Sequence, residues 1–66
     1  MIGEIIKELR TDKGISQKQL ADVIGVGQAT VSEWERSVNE PKASYIEKLA
    51  DYFNISTDYL FGRNDT

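Results

Sequence analysis

Apolar residues recur along this chain at helical spacing. Ile2, Ile6 and Leu9 repeat every three or four positions, with Ile5 offset from them, and Gly14 follows Lys13. This predicts a first helix over about residues 2–12 closed by a left-handed glycine, with Ile5 open between a core edge and an apolar surface position. Ser16-Gln17-Lys18-Gln19 has the form of a capping box, in which hydroxyl and amide each satisfy the other residue's backbone N–H. It opens a second helix over about residues 17–24 that carries Leu20, Ala21 and Ile24 and stops at Gly25. A third helix, about 28–36, turns Val31 and Trp34 inward, and Ser37 to Pro41 reads as a loop closed by the sole proline. Tyr45, Ile46, Leu49, Ala50 and Phe53 form an apolar stripe over about residues 42–53. Ser56, with Asp58, can cap a last turn over about 57–61 that buries Leu60 and Phe61 before Gly62. Nowhere do apolar and polar residues alternate over a strand's length. The expectation is a single all-α domain over residues 1–66, a compact bundle of helices, with Arg63 to Thr66 a loose tail that is either a frayed end or the start of a linker.

Size and composition narrow the chemistry. A chain of 66 residues buries only about 60% of what its unfolded form exposes, so its net stability is a few kcal/mol. The absence of Cys and His removes disulfides, thiolate and imidazole metal sites, and every nucleophile or base built on them. No metal or other cofactor is expected, and a reducing cytoplasm fits. No apolar run approaches the ~18 residues of a membrane span, and Met1-Ile2-Gly3-Glu4 lacks the pattern of a signal peptide.

The informative stretch is Gln17 to Arg36, QKQLADVIGVGQATVSEWER. Two short helices crossing at ~90–120° need a small residue where their backbones approach, and Ala21 sits there. The tight turn between them needs positive φ, which Gly25 adopts without a Cβ penalty. Leu20, Ile24, Val26, Val31 and Trp34 then face inward, leaving Gln28, Ala29, Ser32 and Glu33 on the opposite face of the third helix. Small, neutral, hydrogen-bonding side chains suit a helix that enters a major groove about 12 Å wide and touches base edges.

In this order and spacing, Ser16-Gln17, Leu20-Ala21, Ile24-Gly25-Val26, Val31-Ser32-x-Trp34-Glu35-Arg36, Pro41 and Ser56-Thr57-x-Tyr59-Leu60-x-Gly62 resemble the phage Cro and repressor type of helix-turn-helix domain, the xenobiotic-response-element family. The resemblance covers Ile2 to Gly62 and implies a lambda-repressor-like, five-helix DNA-binding domain of a bacterial or phage transcriptional regulator, a repressor, bound to an operator as a homodimer. It implies that Gly27, Gln28, Ala29, Ser32 and Glu33 read bases, that Gln17 and Lys18 approach the phosphate backbone, and that Thr30, Arg36, Asn39 and Lys42 lie beside phosphates. It pairs Arg10 with Glu35 inside the domain. The family commonly has Ser or Thr at the position of Gly27 and Gly at that of Ser37, so the third helix is expected to start with a weaker cap and to end without a left-handed residue. Glu33 also departs, because a carboxylate near DNA is repelled unless it accepts from a cytosine amino group; it would otherwise limit nonspecific binding.

Each site residue has a plainer alternative. Arg10 could touch phosphate, although breaking a partly buried pair would strand Glu35. Trp34 is core rather than a base-stacking group, and Gln28 could be a solvated helix-start residue. Asn39 and Lys42 are open between phosphate contact and solvated loop, and Tyr59 and Phe61 between plain partial exposure and the rim of a dimer contact. The net charge of −3 opposes a DNA partner, which favours basic surfaces. The polarity of the chain softens this: residues 7–18 hold four cations against two acids, residues 47–66 two cations against four acids. Glu33, Glu35 and Glu40 still lie close to the reading surface. The acidity leaves a second hypothesis, a protein-interaction module of the same fold such as an antitoxin or anti-repressor. An enzyme is disfavoured, since carboxylates occur without His, Cys or a glycine-rich phosphate loop.

Overall fold

The computed structural model describes residues 2–62, which form five helices in the order α1 (Ile2–Lys13), α2 (Gln17–Ile24), α3 (Gln28–Glu35), α4 (Ala43–Phe53) and α5 (Thr57–Leu60). The tail Arg63 to Thr66 lies outside the described residues. Four helix ends, at Lys13, Glu35, Ala43 and Leu60, differ by one residue from the sequence expectation, within the ambiguity of a frayed terminus. No strand occurs among the described residues.

Each helix is punctuated by local chemistry. At α2, the Ser16 hydroxyl accepts from the Gln19 backbone N–H at 3.0 Å while the Gln19 side-chain oxygen accepts from the Ser16 N–H at 2.8 Å. Ser56 does the same for α5, accepting from the Tyr59 N–H at 3.1 Å. The first four helices share one kind of ending, a left-handed residue with the chain wrapped back onto the last turn: Gly14, Gly25, Ser37 and Asn54 all have positive φ. The wrap is visible in backbone bonds from Ile15 to Arg10, Val26 to Ala21, Val38 to Glu33 and Ile55 to Ala50.

Ser37 corrects the sequence reading. Its φ is +60°, so α3 does end in a left-handed residue although the side chain there is not glycine's. The Ser37 N–H donates to the Trp34 carbonyl at 3.1 Å and the Val38 N–H to the Glu33 carbonyl at 2.9 Å. Satisfying these orphan carbonyls offsets the steric penalty of an L-residue in this conformation, of order 1 kcal/mol.

The core gathers one stripe from every helix: Ile2 and Ile6, Leu20, Ala21 and Ile24, Val31 and Trp34, Ile46, Leu49 and Ala50, and Leu60. Ile5 packs at its edge, as do Leu9, Val26, Tyr45 and Phe53. Trp34 sits against Tyr45 with ring centroids 5.7 Å apart. The expectation that Phe61 is buried fails. Only Leu60 of that pair goes inside, and Phe61, past the end of a single-turn helix, is 46% exposed.

Gly3 is buried in the first turn of α1, where a Cβ would collide with the Trp34 carbonyl oxygen and crowd the Glu35 carbonyl oxygen. The start of α1 therefore lies directly on the last turn of α3. A glycine inside a helical pattern is the sequence signal of such an approach.

Candidate nucleic-acid interface

The surface begins at the turn between α2 and α3. Gly25 takes φ +92° and its N–H donates to the Ala21 carbonyl at 2.8 Å, so α2 stops abruptly. Ala21 is buried at the crossing, and its small side chain lets the two backbones close up. Two residues after Gly25 stands Gly27, whose extended backbone caps α3 with no side-chain bond. Gln28 and Ala29 are fully outside, Ser32 and Glu33 half-buried one turn later, while Val31 and Trp34 point into the core.

Beneath this face lies an ion pair. Arg10 donates to both oxygens of Glu35, Nε to Oε2 at 2.6 Å and Nη2 to Oε1 at 3.1 Å, and Nη1 donates to the Ile15 carbonyl at 2.8 Å. The Glu35 side chain is 3% exposed and that of Arg10 12%. The hydrogen bonds to Glu35 raise the guanidinium pKa, partial burial pulls against them, and the direct charge attraction adds to them. The pair fastens α1 to the end of α3.

From Glu35 a chain of bonds leads out to the surface. The Gln17 side-chain Nε2 donates to Glu35 Oε1 at 3.1 Å, and Gln28 Nε2 donates to Gln17 Oε1 at 3.5 Å. A carboxylate only accepts, so Gln17 must turn its amino group inward and its oxygen outward. Gln28 must then direct one N–H at Gln17, which leaves its oxygen and its second N–H for a ligand.

The other expected site residues fall into local groups. Arg36 Nε donates to Ser32 Oγ at 3.2 Å, and Asn39 Nδ2 donates to Glu33 Oε1 at 3.0 Å. Lys18 Nζ stands 3.5 Å from Asp22 Oδ2, an exposed pair worth little and easily surrendered. Lys42 is exposed at the N-cap of α4, and Thr30 is half-buried in the first turn of α3. Tyr59 is half-buried and Phe61 exposed. Phe61 lines a recess of about 190 Å³ with Ala43, Ile46, Glu47 and Thr57, in which Tyr59 takes no part.

Two links escaped the sequence reading, from Gln17 to Glu35 and from Asn39 to Glu33. The first joins residues 18 positions apart and leaves no local signature. The second would follow from knowing that Ser37 is left-handed, because that wrap brings position 39 back over position 33.

A family model described as Helix-turn-helix, HTH_3, matches residues 6–60. Among curated relatives, the HTH-type transcriptional regulator ImmR of Bacillus subtilis (strain 168) is 34% identical over 64 residues, which is 97% of this chain and 50% of the relative. The cryptic phage CTXphi transcriptional repressor RstR of Vibrio cholerae is 30% identical over 100% of this chain and 60% of its own length. The chain thus spans between half and three-fifths of these relatives. Among solved structures, the P22 c2 repressor in complex with a synthetic operator superposes with a TM-score of 0.91 at 33% identity, covering 97% of each chain. The biofilm regulator SinR in complex with DNA gives a TM-score of 0.84 at 34% identity, over 92% of this chain and 98% of that one.

Proposed function

We propose that this chain, which belongs to the helix-turn-helix family, is a sequence-specific double-stranded DNA-binding module of a transcriptional regulator that represses by occupying promoter DNA. It acts by binding, without catalysis, and in the cytoplasm. Two protomers would engage half-sites about one helical turn apart, each laying α3 in the major groove. The observation that carries the reading is the exposed amide of Gln28, whose Nε2 leans on the Gln17 oxygen at 3.5 Å and whose oxygen and second N–H are left for a ligand. An acceptor and a donor side by side match adenine N6 and N7. Ala29 and Gly27 let the helix approach closely, Ser32 adds a hydroxyl, and Lys18, Arg36 and Lys42 supply cations for phosphates on either side of the groove, with Gln17 and Thr30 at its margins. Operator-bound P22 c2 repressor and DNA-bound SinR support the reading through their likeness to this chain.

Selection from a random DNA pool, followed by titration of the winning site, tests it. The wild type should select a two-fold symmetric consensus. Gln28→Ala should lose discrimination at one base position per half-site, by about 5- to 150-fold, the range of ~1–3 kcal/mol for one bidentate contact. Its salt dependence should stay that of the wild type, because no phosphate contact is removed. The acid-rich sequence, at −3, favours one rival, a protein-interaction module of the same fold. Failure of the wild type to enrich any sequence would decide for the rival.

A further inference from the structure

Glu33 is a carboxylate on a surface that is to meet polyanionic DNA, and its neighbourhood shows what it is for. It is half-buried one turn into α3, and one of its oxygens, Oε1, accepts from Asn39 Nδ2 at 3.0 Å. Asn39 is brought there by backbone, not by chance of a long side chain. The left-handed Ser37 wraps the loop so that the Val38 N–H and the Asn39 N–H both donate to the Glu33 carbonyl, at 2.9 and 3.5 Å. The loop thus grips Glu33 at its main chain and at one carboxylate oxygen. Asn39 is neutral, so it brings no counter-charge to the carboxylate, and Oε2 takes no hydrogen bond from the described residues.

We infer that Glu33 specifies a cytosine in each half-site through its Oε2, and that Asn39 is the positioning residue that aims it. The inference rests on the DNA-binding reading above. Only a base that offers a donor to the major groove can compensate the carboxylate. Guanine presents two acceptors there and thymine an acceptor and a methyl group; adenine offers its N6 amino group but sets the N7 acceptor beside it. Cytosine offers the N4 amino group with no acceptor of its own on that edge. Glu33 therefore rejects three bases by repulsion and accepts one by a charge-assisted bond. Asn39, placed beside phosphate by sequence resemblance, gives one amide N–H to Glu33, which ties its side chain to the carboxylate.

The test compares base preferences, position by position, for the wild type, Glu33→Gln and Asn39→Ala, after thermal melts show each variant folded. The wild-type consensus should carry a C·G pair at one position per half-site. Glu33→Gln should lose about 10-fold preference there, the order expected for one mismatched pair, and keep the preference assigned to Gln28. Asn39→Ala should weaken the same cytosine preference several-fold, leave other positions alone, and keep the wild-type salt slope. Replacing that cytosine by a pyrimidine lacking the exocyclic amino group should match the Glu33→Gln loss. Unchanged preferences in Glu33→Gln overturn the cytosine assignment. A uniform loss of affinity with a shallower salt slope in Asn39→Ala marks a phosphate contact and overturns the positioning role. Either result leaves the Gln28-dependent selection intact, whereas a wild type that selects no sequence removes the DNA-binding reading along with the inference.

Discussion

Glu35 serves two neighbours at once, closing the ion pair with Arg10 and turning the Gln17 oxygen toward the Gln28 amide. Removing Arg10 strands a carboxylate that is 3% exposed, which costs about 3–5 kcal/mol in buried pairs. A chain of 66 residues has about 3–10 kcal/mol in total, so Arg10→Met should be marginal or unfolded in urea titrations. The double variant Arg10→Met/Glu35→Leu should regain most of the loss, since no buried charge is left unmatched. It should not regain full base discrimination, because Gln17 has lost the acceptor that set its orientation. Recovery of both would show that Glu35 acts on stability alone. The raised guanidinium pKa contributes stability that is complete below the unfolded value and fades only as pH climbs through the still higher folded one. Arg10 therefore adds no pH dependence in the range where DNA binding is measured.

At the scale of elements, the helix ends decide which faces meet. Gly14, Gly25, Ser37 and Asn54 turn the chain after four successive helices, and Gly3 lets α1 rest on the last turn of α3. Gly3→Ala would improve a free helix by up to ~1 kcal/mol, yet here the new methyl meets backbone oxygen that cannot rotate away. The contact should dominate, with a net loss of about 1–3 kcal/mol. In a thermal melt that is a fall of about 4–8 °C for each kcal/mol, and a rise would mean that α1 can slide off α3. These features also mark what was legible in the sequence. The capping box at Ser16, the stop at Gly25 and the inward stripe of Val31 and Trp34 follow from local spacing, and each is present in the fold. Ser37 was not legible, because its conformation is set by the carbonyls of Glu33 and Trp34 that its turn satisfies, not by its own preference. Phe61 was misread for a related reason. A helix of one turn has no second turn to define an inner face, so burial of Leu60 fixes nothing about its neighbour. The residues of the reading face were legible from periodicity, but their couplings, which run through side chains on three helices and a loop, were not.

For the whole molecule, charge and size set the terms of binding. The described residues extend 30 × 23 × 19 Å, so two copies fit side by side on half-sites about 34–36 Å apart, one on each turn of the same DNA face. A net charge of −3 per chain gives no general attraction to DNA, and affinity must come from the few cations the fold aims at the backbone. On the proposed reading Lys18, Arg36 and Lys42 would be those cations in each protomer; the bonds of Lys18 to Asp22 and of Arg36 to Ser32 are exposed and would yield readily to phosphate. With ~0.9 counterion released per neutralised phosphate, a dimer using all three in each half should show a log–log salt slope of about −5, and a lone protomer only about half of that. Lys18→Ala should then make the dimer slope shallower by about two, one for each half-site, while the selected sequence stays the same. Titrations of the selected operator across a range of salt concentrations check both numbers together. A slope near −5 that does not respond to Lys18→Ala would place the phosphate contacts on other residues, and a slope near half that value would mean that one protomer, not two, carries the operator.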